Sequence, residues 1–276
     1  MKYITIKNNF EKKNGGRTGH RIKDIMSLYI LSFFVKDLQV VPNPSWHIKQ
    51  HLIKFKCENL NTSSLKTISI HKFARKPRQF CEFMGLINYI NQSEDNTFFH
   101  MDTRMLLLPK HLTDWYNDGH ISSDIFNDKF IPLFRKLYNG ENVEIKEQLA
   151  FHVRRGDIYD PSKIYYRNFD FMKWEATYIE KRILDFKKHN QDIPIKIFTE
   201  KNFSDDLNYL QSKFSKLKII RGDEETLKND IHEMVNSKFF IPCNSGLSTS
   251  IAYLCNGKVM IDSEKPLKHF HKKIIW

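Results

Sequence analysis

The sequence predicts an α/β protein whose parallel sheets carry helices on both faces. Two observations support this prediction. The chain opens with an alternating segment, a glycine-rich turn, a helical pattern and a short apolar segment, which is the order of a β-α-β unit. From residue 147 onward, short apolar segments alternate with amphipathic segments of helical period. Such alternation is typical of parallel strands joined by crossover helices.

The opening unit has the order strand, glycine turn, helix and strand. Residues 1–6 alternate in polarity and predict the first strand. The turn 14–20 precedes a helix predicted from apolar residues that recur every three or four positions: Ile22, Ile25, Met26, Tyr29, Ile30, Phe33 and Phe34. Residues 38–41 predict the second strand, which Pro42 ends. The turn is either a simple tight turn or a loop whose N–H groups approach an anion. Its glycine spacing is not that of a nicotinamide-dinucleotide loop.

The stretch 45–140 has fewer clear patterns. Residues 65–70 alternate like a strand, and residues 124–138 have the apolar spacing of a helix. The basic segment 71–78 is either a solvated loop or part of an acceptor cleft or nucleic-acid surface. We predict no other element in this stretch.

A polar stretch, residues 139–146, separates this half from a cleaner α/β pattern. We therefore predict two domains, residues 1–145 and 146–276. In the second domain, apolar segments rich in isoleucine and phenylalanine predict strands at 147–152, 195–199, 217–220, 239–242 and 257–262. Amphipathic segments predict helices at 171–188, 205–214 and 223–237, and a last helix ending at 254.

Composition indicates a folded chain without a membrane span or a disulfide framework. No apolar run reaches the roughly 18 residues of a span, and the start lacks a signal-peptide core. The four cysteines lie far apart without a Cys-x-x-Cys pair, which is typical of reduced thiols in a cytoplasmic protein. Lys and Arg number 44 against 32 Asp and Glu, a net charge of +12. That charge suits polyanions, nucleotides or an anionic membrane surface.

Three polar elements of the second domain are candidates for binding chemistry at the carboxyl ends of its strands. The segment 152–157, His-Val-Arg-Arg-Gly-Asp, places two guanidinium groups after a strand, where they suit a diphosphate or form a surface ion pair. The turn 244–250 is rich in hydroxyls, and it either binds phosphate at a helix start or is an ordinary N-cap. Asp230, in Asp-Ile-His, is either exposed or a buried acceptor for the two N–H donors of a guanine edge.

The order of these motifs resembles the GT-B fucosyltransferases that share a His-x-Arg-Arg motif, the α1,2-, α1,6- and protein O-fucosyltransferase group. Residues 152–157 match the first motif of that family. Residues 230–232, 239–241 and 244–246 resemble its α1,6 branch in order and spacing. The glycine turn 15–20 resembles the loop that begins the acceptor domain. The resemblance covers the start and most of the second half of the chain.

The resemblance implies a GT-B-like fold, with two Rossmann-type domains whose parallel sheets face a cleft. Residues 1–145 would form the acceptor-side domain and residues 146–276 the donor-binding domain. The implied reaction is inverting transfer of fucose from GDP-fucose to a hydroxyl of a glycan or protein. The resemblance implies no metal ion and no other cofactor.

The resemblance also implies roles for individual residues. Arg155, with Arg154 nearby, would hold the donor diphosphate and stabilise the leaving GDP. The remaining donor-binding residues would be His152, Asp157, Asp230, Ser245, Gly246, Leu247, Ser248, Thr249 and Arg17. Inverting transfer needs a base near the acceptor hydroxyl, and His20 is the candidate, with Asp102 and Asp114 no better placed.

The chain differs from this family in two respects. It is short and lacks the membrane anchor of eukaryotic members, so we expect a cytoplasmic enzyme of bacterial or viral origin. Gly246 and Leu247 stand where more polar residues are common, which leaves another nucleotide sugar open as the donor. A third alternative is a non-catalytic basic protein that binds polyanions. The expected partners are a GDP-sugar and a glycan or protein acceptor, with peripheral contact to an anionic membrane and no nucleic acid.

Overall fold

The computed structural model describes residues 1–7, 18–41, 63–70, 79–102, 108–139, 143–160, 162, 173–202, 204–223, 225–262 and 264. The chain divides into two compact units, Met1–Gly140 and Glu141–Trp276. Each unit contains one sheet whose strand pairs are all parallel. The predicted α/β class with two parallel sheets is therefore confirmed.

The first unit contains a four-stranded sheet. Its strands are β1 (Lys2–Lys7), β2 (Leu38–Val40), β3 (Lys66–Ile70) and β4 (Thr97–Asp102). Their order across the sheet is β2-β1-β4-β3. The α-helices are α1 (Thr18–Phe34), α2 (Phe80–Gln92), α3 (Leu108–Asn117) and α4 (Ile131–Asn139), with a π-helical segment, Ile125–Phe130, before α4.

Three elements of this unit, α2, β4 and α3, were not predicted from sequence. The signal for α2 was present, because Phe83, Leu86, Ile87 and Ile90 follow helical spacing and are all buried. For β4 the signal was weak, since Phe98 and Phe99 are adjacent and both buried, so the strand does not alternate.

The second unit contains a five-stranded sheet. Its strands are β5 (Lys146–Val153), β6 (Ile195–Glu200), β7 (Leu217–Gly222), β8 (Ser237–Pro242) and β9 (Lys258–Val259). Its α-helices are α5 (Ala176–Lys187), α6 (Asn208–Lys213), α7 (Leu227–Val235) and α8 (Gly246–Leu254). Short 3-10 turns occupy Gly156–Ile158 and Asp205–Leu207.

Element boundaries in this unit differ from the prediction at several elements, including α5, α7 and β9. Helix α5 starts at Ala176, later than predicted, and residues 171–172 lie outside the described residues. Helix α7 is shorter than the predicted 223–237, because Ser237 already belongs to β8. Strand β9 has two residues, Lys258 and Val259, which pair with β8 at the edge of the sheet.

Strand β5 lies at the centre of this sheet and is buried on both faces. Residues 148–153 are all buried, which explains why the strand has a continuous apolar centre and no alternation. Its side chains Leu149, Phe151 and Val153 join one apolar cluster with Ile179 and Ile183 of α5. This packing fixes the direction in which the strand ends.

The strand order reverses at β5. The order is β7-β6-β5-β8-β9, so the chain runs outward from β5 to β7 and then returns to add β8 on the other side of β5. Ligands of open α/β sheets bind where the order reverses in this way. Strands β5 and β8 pair in parallel up to His152 and Pro242. The segments that follow these two strands therefore begin side by side.

Candidate functional site at the ends of strands β5 and β8

The turn after β5 begins with two arginines in different environments. Arg154 is partly exposed, whereas Arg155 is 0 % exposed. Gly156 follows with a φ of 59°, a left-handed conformation that strains residues other than glycine. The side chain of Glu200, at the end of β6, lies 3.7 Å from the position that a Cβ of residue 156 would occupy. The turn is thus sharp and packed against the end of β6.

Arg155 makes its contacts inside the protein. Its Nη2 donates to Oδ2 of Asp206 over 2.8 Å, and its Nη1 donates to the hydroxyl of Tyr159 over 2.8 Å. The guanidinium carbon lies 4.3 Å from the centre of the Tyr159 ring. The backbone N–H of Arg155 donates to Oε2 of Glu200 over 2.5 Å. Burial raises the pKa of Tyr159 to about 12, so its hydroxyl stays protonated at neutral pH.

The turn after β8 forms the start of helix α8. Ser245 is the N-cap residue, and its hydroxyl accepts a hydrogen bond from the backbone N–H of Ser248 over 3.1 Å. The backbone N–H of Thr249 donates to the Ser245 carbonyl over 3.0 Å. Within the described part of the chain, the N–H groups of Gly246 and Leu247 have no acceptor. Two free N–H groups at a helix start, on partly exposed residues, suit an anion.

The two turns are in direct contact through His152. Its Nδ1 lies 2.5 Å from the hydroxyl oxygen of Ser248. The sulfur of Cys243 lies 3.3 Å from the same hydroxyl and 3.6 Å from Nδ1 of His152. The Cys243 sulfur also interacts with the backbone N–H of Arg154. All of these groups except Arg154 are buried, so the junction between β5 and α8 is closely packed.

Burial and mutual charge act against each other in this junction. Burial disfavours the imidazolium of His152, but Cys243 and Glu200 outweigh it and raise the pKa of that histidine. Burial also disfavours the thiolate of Cys243, but His152 and the hydrogen bonds from Ser248 outweigh it and lower the pKa of the thiol. Each group thus shifts the pKa of the other toward its charged form.

Asp230 lies in the first turn of α7 and is partly buried. Its Oδ2 accepts a hydrogen bond from the hydroxyl of Thr226 over 2.9 Å. It packs on Gly222 at the end of β7 so closely that a Cβ at residue 222 would collide with the carboxylate. Burial raises the pKa of Asp230, with further upward contributions from Glu233 and Asp223 and a downward one from His152. Asp230 thus lies within electrostatic reach of His152.

Three residues that shape this site were not predicted from sequence. Glu200, Tyr159 and Asp206 hold the turn after β5. Glu200 carried a usable signal, because it is a charged residue at the end of a predicted strand, as Arg154 is. Asp206 carried none, because an acidic residue at a helix start is common.

The structure brings together His152, the backbone of Arg154, Ser245 and Ser248. The side chain of Arg155 instead contacts Asp206 and Tyr159. It describes only the backbone of Asp157 and of His20, in a 3-10 turn and in α1 respectively, and the predicted donor contact Arg17 lies outside the described residues. Within the first unit, the carboxylate of Asp114 lies 3.7 Å from His111, and of Asp102 only the backbone is described.

Two kinds of feature are absent from the described part of the chain. It contains no group of three or more His, Cys, Asp or Glu side chains arranged to hold a metal ion. Among the helices that the structure describes, none is both long and apolar enough to cross a membrane.

The comparisons with known proteins find likeness in fold. No protein-family model matches the chain, and no curated protein matches it. The fold is similar to that of NodZ α-1,6-fucosyltransferase soaked with GDP-fucose, at 14% identity and a TM-score of 0.46 over 96% of each chain. It is also similar to POFUT1 in complex with GDP, at 10% identity and a TM-score of 0.43 over 93% of this chain and 94% of that one.

A further similar structure is that of E. coli heptosyltransferase WaaC with ADP, at 13% identity and a TM-score of 0.39, covering 94% of this chain and 86% of that one. All three structures are GT-B glycosyltransferases. At these identities the likeness concerns the fold alone.

Proposed function

We propose that this protein is an inverting glycosyltransferase that moves fucose from GDP-fucose to a hydroxyl of a glycan or protein. One observation carries the proposal: the Arg154 turn and the start of α8 follow the neighbouring strands β5 and β8, and the 2.5 Å contact between His152 and Ser248 joins them. A guanidinium and a helix start that face one crevice bind a diphosphate better than either does alone.

In this proposal the diphosphate lies between Arg154 and the N–H groups of Gly246 and Leu247. Ser245, Ser248 and Thr249 shape that helix start. As the acceptor oxygen bonds to the anomeric carbon, the carbon–oxygen bond to the diphosphate breaks and its electron pair passes to the β-phosphate. A fixed positive charge and fixed N–H groups at that point stabilise the transition state more than the ground state.

Asp230 would recognise the base. A carboxylate accepts two hydrogen bonds and donates none when ionised. This fits the adjacent N1–H and N2–H₂ donors of guanine, whereas the pairing edge of uracil has a single N–H between two carbonyl acceptors. The contact of Asp230 with Gly222 and Thr226 holds the carboxylate in one orientation. The reaction as proposed uses no metal ion, and Arg17 and His20 keep their predicted roles as donor contact and base.

The proposal is tested by nucleotide binding measured with calorimetry. We expect GDP to bind more tightly than UDP and ADP, and Arg154→Gln to weaken GDP binding by about 10- to 100-fold, the value of a charge-assisted hydrogen bond. Lys218→Gln is the matched control, because it removes one positive charge from an exposed position of β7. Transfer is then measured with GDP-fucose and an array of glycan acceptors.

Two other outcomes would contradict the proposal in different ways. If GDP, UDP and ADP bind with equal affinity and Arg154→Gln abolishes that binding, the protein would be a transferase that uses another nucleotide sugar. Salt-sensitive polyanion binding that is unchanged in Arg154→Gln would indicate the basic non-catalytic protein.

A further inference from the structure

Arg155 is built into the protein interior. Its side chain is 0 % exposed, and both terminal nitrogens of its guanidinium donate to side chains of the same unit, Asp206 and Tyr159. Its Nε has no acceptor within the described part of the chain. A buried guanidinium must be paired, because an unpaired charge in the interior is strongly unfavourable. The two partners provide this pairing without any ligand.

The same turn is also held through its backbone. The N–H of Arg155 donates to Glu200, and the N–H of Gly156 donates to the carbonyl of Asn202 over 3.4 Å. Glu200, Asn202 and Asp206 all belong to the end of β6 and the segment after it. The turn after β5 is thus fixed to the next strand at three points, and Arg154 is the arginine of the pair that remains partly exposed.

We propose that Arg155 is a positioning residue that does not touch the donor, and that its ion pair with Asp206 and contact with Tyr159 hold the turn that presents Arg154 to the diphosphate. This inference rests on the proposed function, and it assigns the two arginines different tasks. Arg154 supplies the charge that the ligand meets. Arg155 sets where that charge lies. It revises the sequence prediction that Arg155 itself holds the diphosphate.

The pair itself is tested without ligand, by thermal unfolding of Arg155→Met, Asp206→Leu and the double variant. Asp206→Leu leaves the buried Arg155 charge without its partner and should lower Tm by about 10 °C. Arg155→Met leaves a carboxylate that is 41 % exposed and should lower Tm less. The double variant replaces the pair with apolar side chains, so it should recover more than half of the loss caused by Asp206→Leu. Strictly additive losses would overturn the pairing.

The assignment to Arg154 is tested by GDP and GMP binding to the folded double variant. A positioning role predicts a limited loss: the double variant, whose turn still has the backbone hydrogen bonds to Glu200 and Asn202, should bind GDP more weakly than the original protein, but by less than about tenfold. It should also keep a preference for GDP over GMP, which Arg154→Gln loses. If Arg155 bound the diphosphate directly, the folded double variant would lose the preference for GDP over GMP as completely as Arg154→Gln does. That result would show the inference to be wrong.

The two proposals fail separately. If the original protein binds no GDP, the proposed function is wrong. The unfolding measurements on the single and double variants need no ligand, so they would still test the Arg155–Asp206 pair. If the original protein binds GDP but the Tm losses of the two single variants add up in the double variant, the inference is wrong and the proposed function is unaffected.

Discussion

At the scale of single residues, this site places charges in positions that folding alone would not favour. Asp230 is partly buried against Gly222, and its pKa is raised mainly by that burial. A carboxyl whose pKa is higher in the folded state than in the unfolded state destabilises the fold once pH exceeds the unfolded value of about 4. The ionised Asp230 therefore costs stability at neutral pH, which is typical of a residue retained for binding.

We therefore predict how Asp230→Asn changes stability and GDP affinity. Asparagine keeps the acceptor for Thr226 and removes the unfavourable charge, so the ligand-free variant should be at least as stable as the original at pH 7. It should bind GDP about 10- to 100-fold more weakly, because one guanine donor loses its acceptor. Calorimetry from about pH 4 upward should show GDP affinity rising with pH in the original protein as Asp230 ionises, because its pKa is raised above the unfolded value of about 4, and a smaller rise in the variant. Lower stability together with unchanged GDP affinity would contradict the assignment.

Residue-scale features were the least predictable from sequence. The sequence predicts that 152–157 and 244–250 come together, because both follow strands of one parallel sheet. It could not distinguish Arg154 from Arg155, since which side chain turns inward depends on Asp206, about fifty residues away along the chain. The contact between His152 and Ser248 likewise joins residues that only the pairing of β5 with β8 brings together.

At the scale of elements, the start of α8 combines two tasks that a substitution can separate. Ser245 caps the helix through the N–H of Ser248 and also borders the free N–H groups of Gly246 and Leu247. The cap contributes about 1 kcal/mol to stability. The free N–H groups contribute to anion binding. Capping depends on a side-chain oxygen, whereas anion binding depends on the sign of the charge beside it.

A comparison of Ser245→Asp with Ser245→Asn tests this separation. Both side chains are good N-caps of nearly equal size, and they differ by one negative charge. We expect the Asp variant to bind GDP at least about tenfold more weakly than the Asn variant, because a carboxylate beside the helix start repels the diphosphate. Ser245→Ala removes the cap, so its loss of stability in denaturant unfolding measures how much the cap contributes. Equal GDP affinities in the Asp and Asn variants would show that the anion does not bind at this helix start.

Helices and strands could be predicted from sequence where their pattern of apolar residues matches the way they pack in the fold. Strand β5 has a continuous apolar centre because it is central in its sheet, and the apolar residues of α1 recur at helical spacing because most of this helix is buried. The end of α7 was misplaced because Asn236 and Ser237 are polar but buried, with Gln148 donating to the Ser237 hydroxyl over 2.9 Å. Buried polar residues of this kind carry no periodic signal in the sequence.

At the scale of the whole molecule, the chain consists of two units, each with its own parallel sheet and core. Every residue that we propose for phosphate and base binding, apart from Arg17, belongs to the second unit. The sequence placed the division within the polar stretch 139–146, and the functional labels of the two domains remain our proposal. A ligand that binds one unit raises the opening free energy of that unit by an amount set by its concentration and affinity.

Hydrogen exchange resolves this effect for each unit separately. At a GDP concentration about 100 times its Kd, the slowest amides of β5 and β8 should exchange about 100-fold more slowly, because ligand must leave before their unit opens globally. Peptides from β4 and α2 provide the internal reference for the first unit, and Arg154→Gln at the same GDP concentration is the control for the site. Unchanged exchange in β5 and β8, at a concentration where calorimetry shows saturation, would mean that GDP binds elsewhere, and the second unit could not be the donor-binding domain.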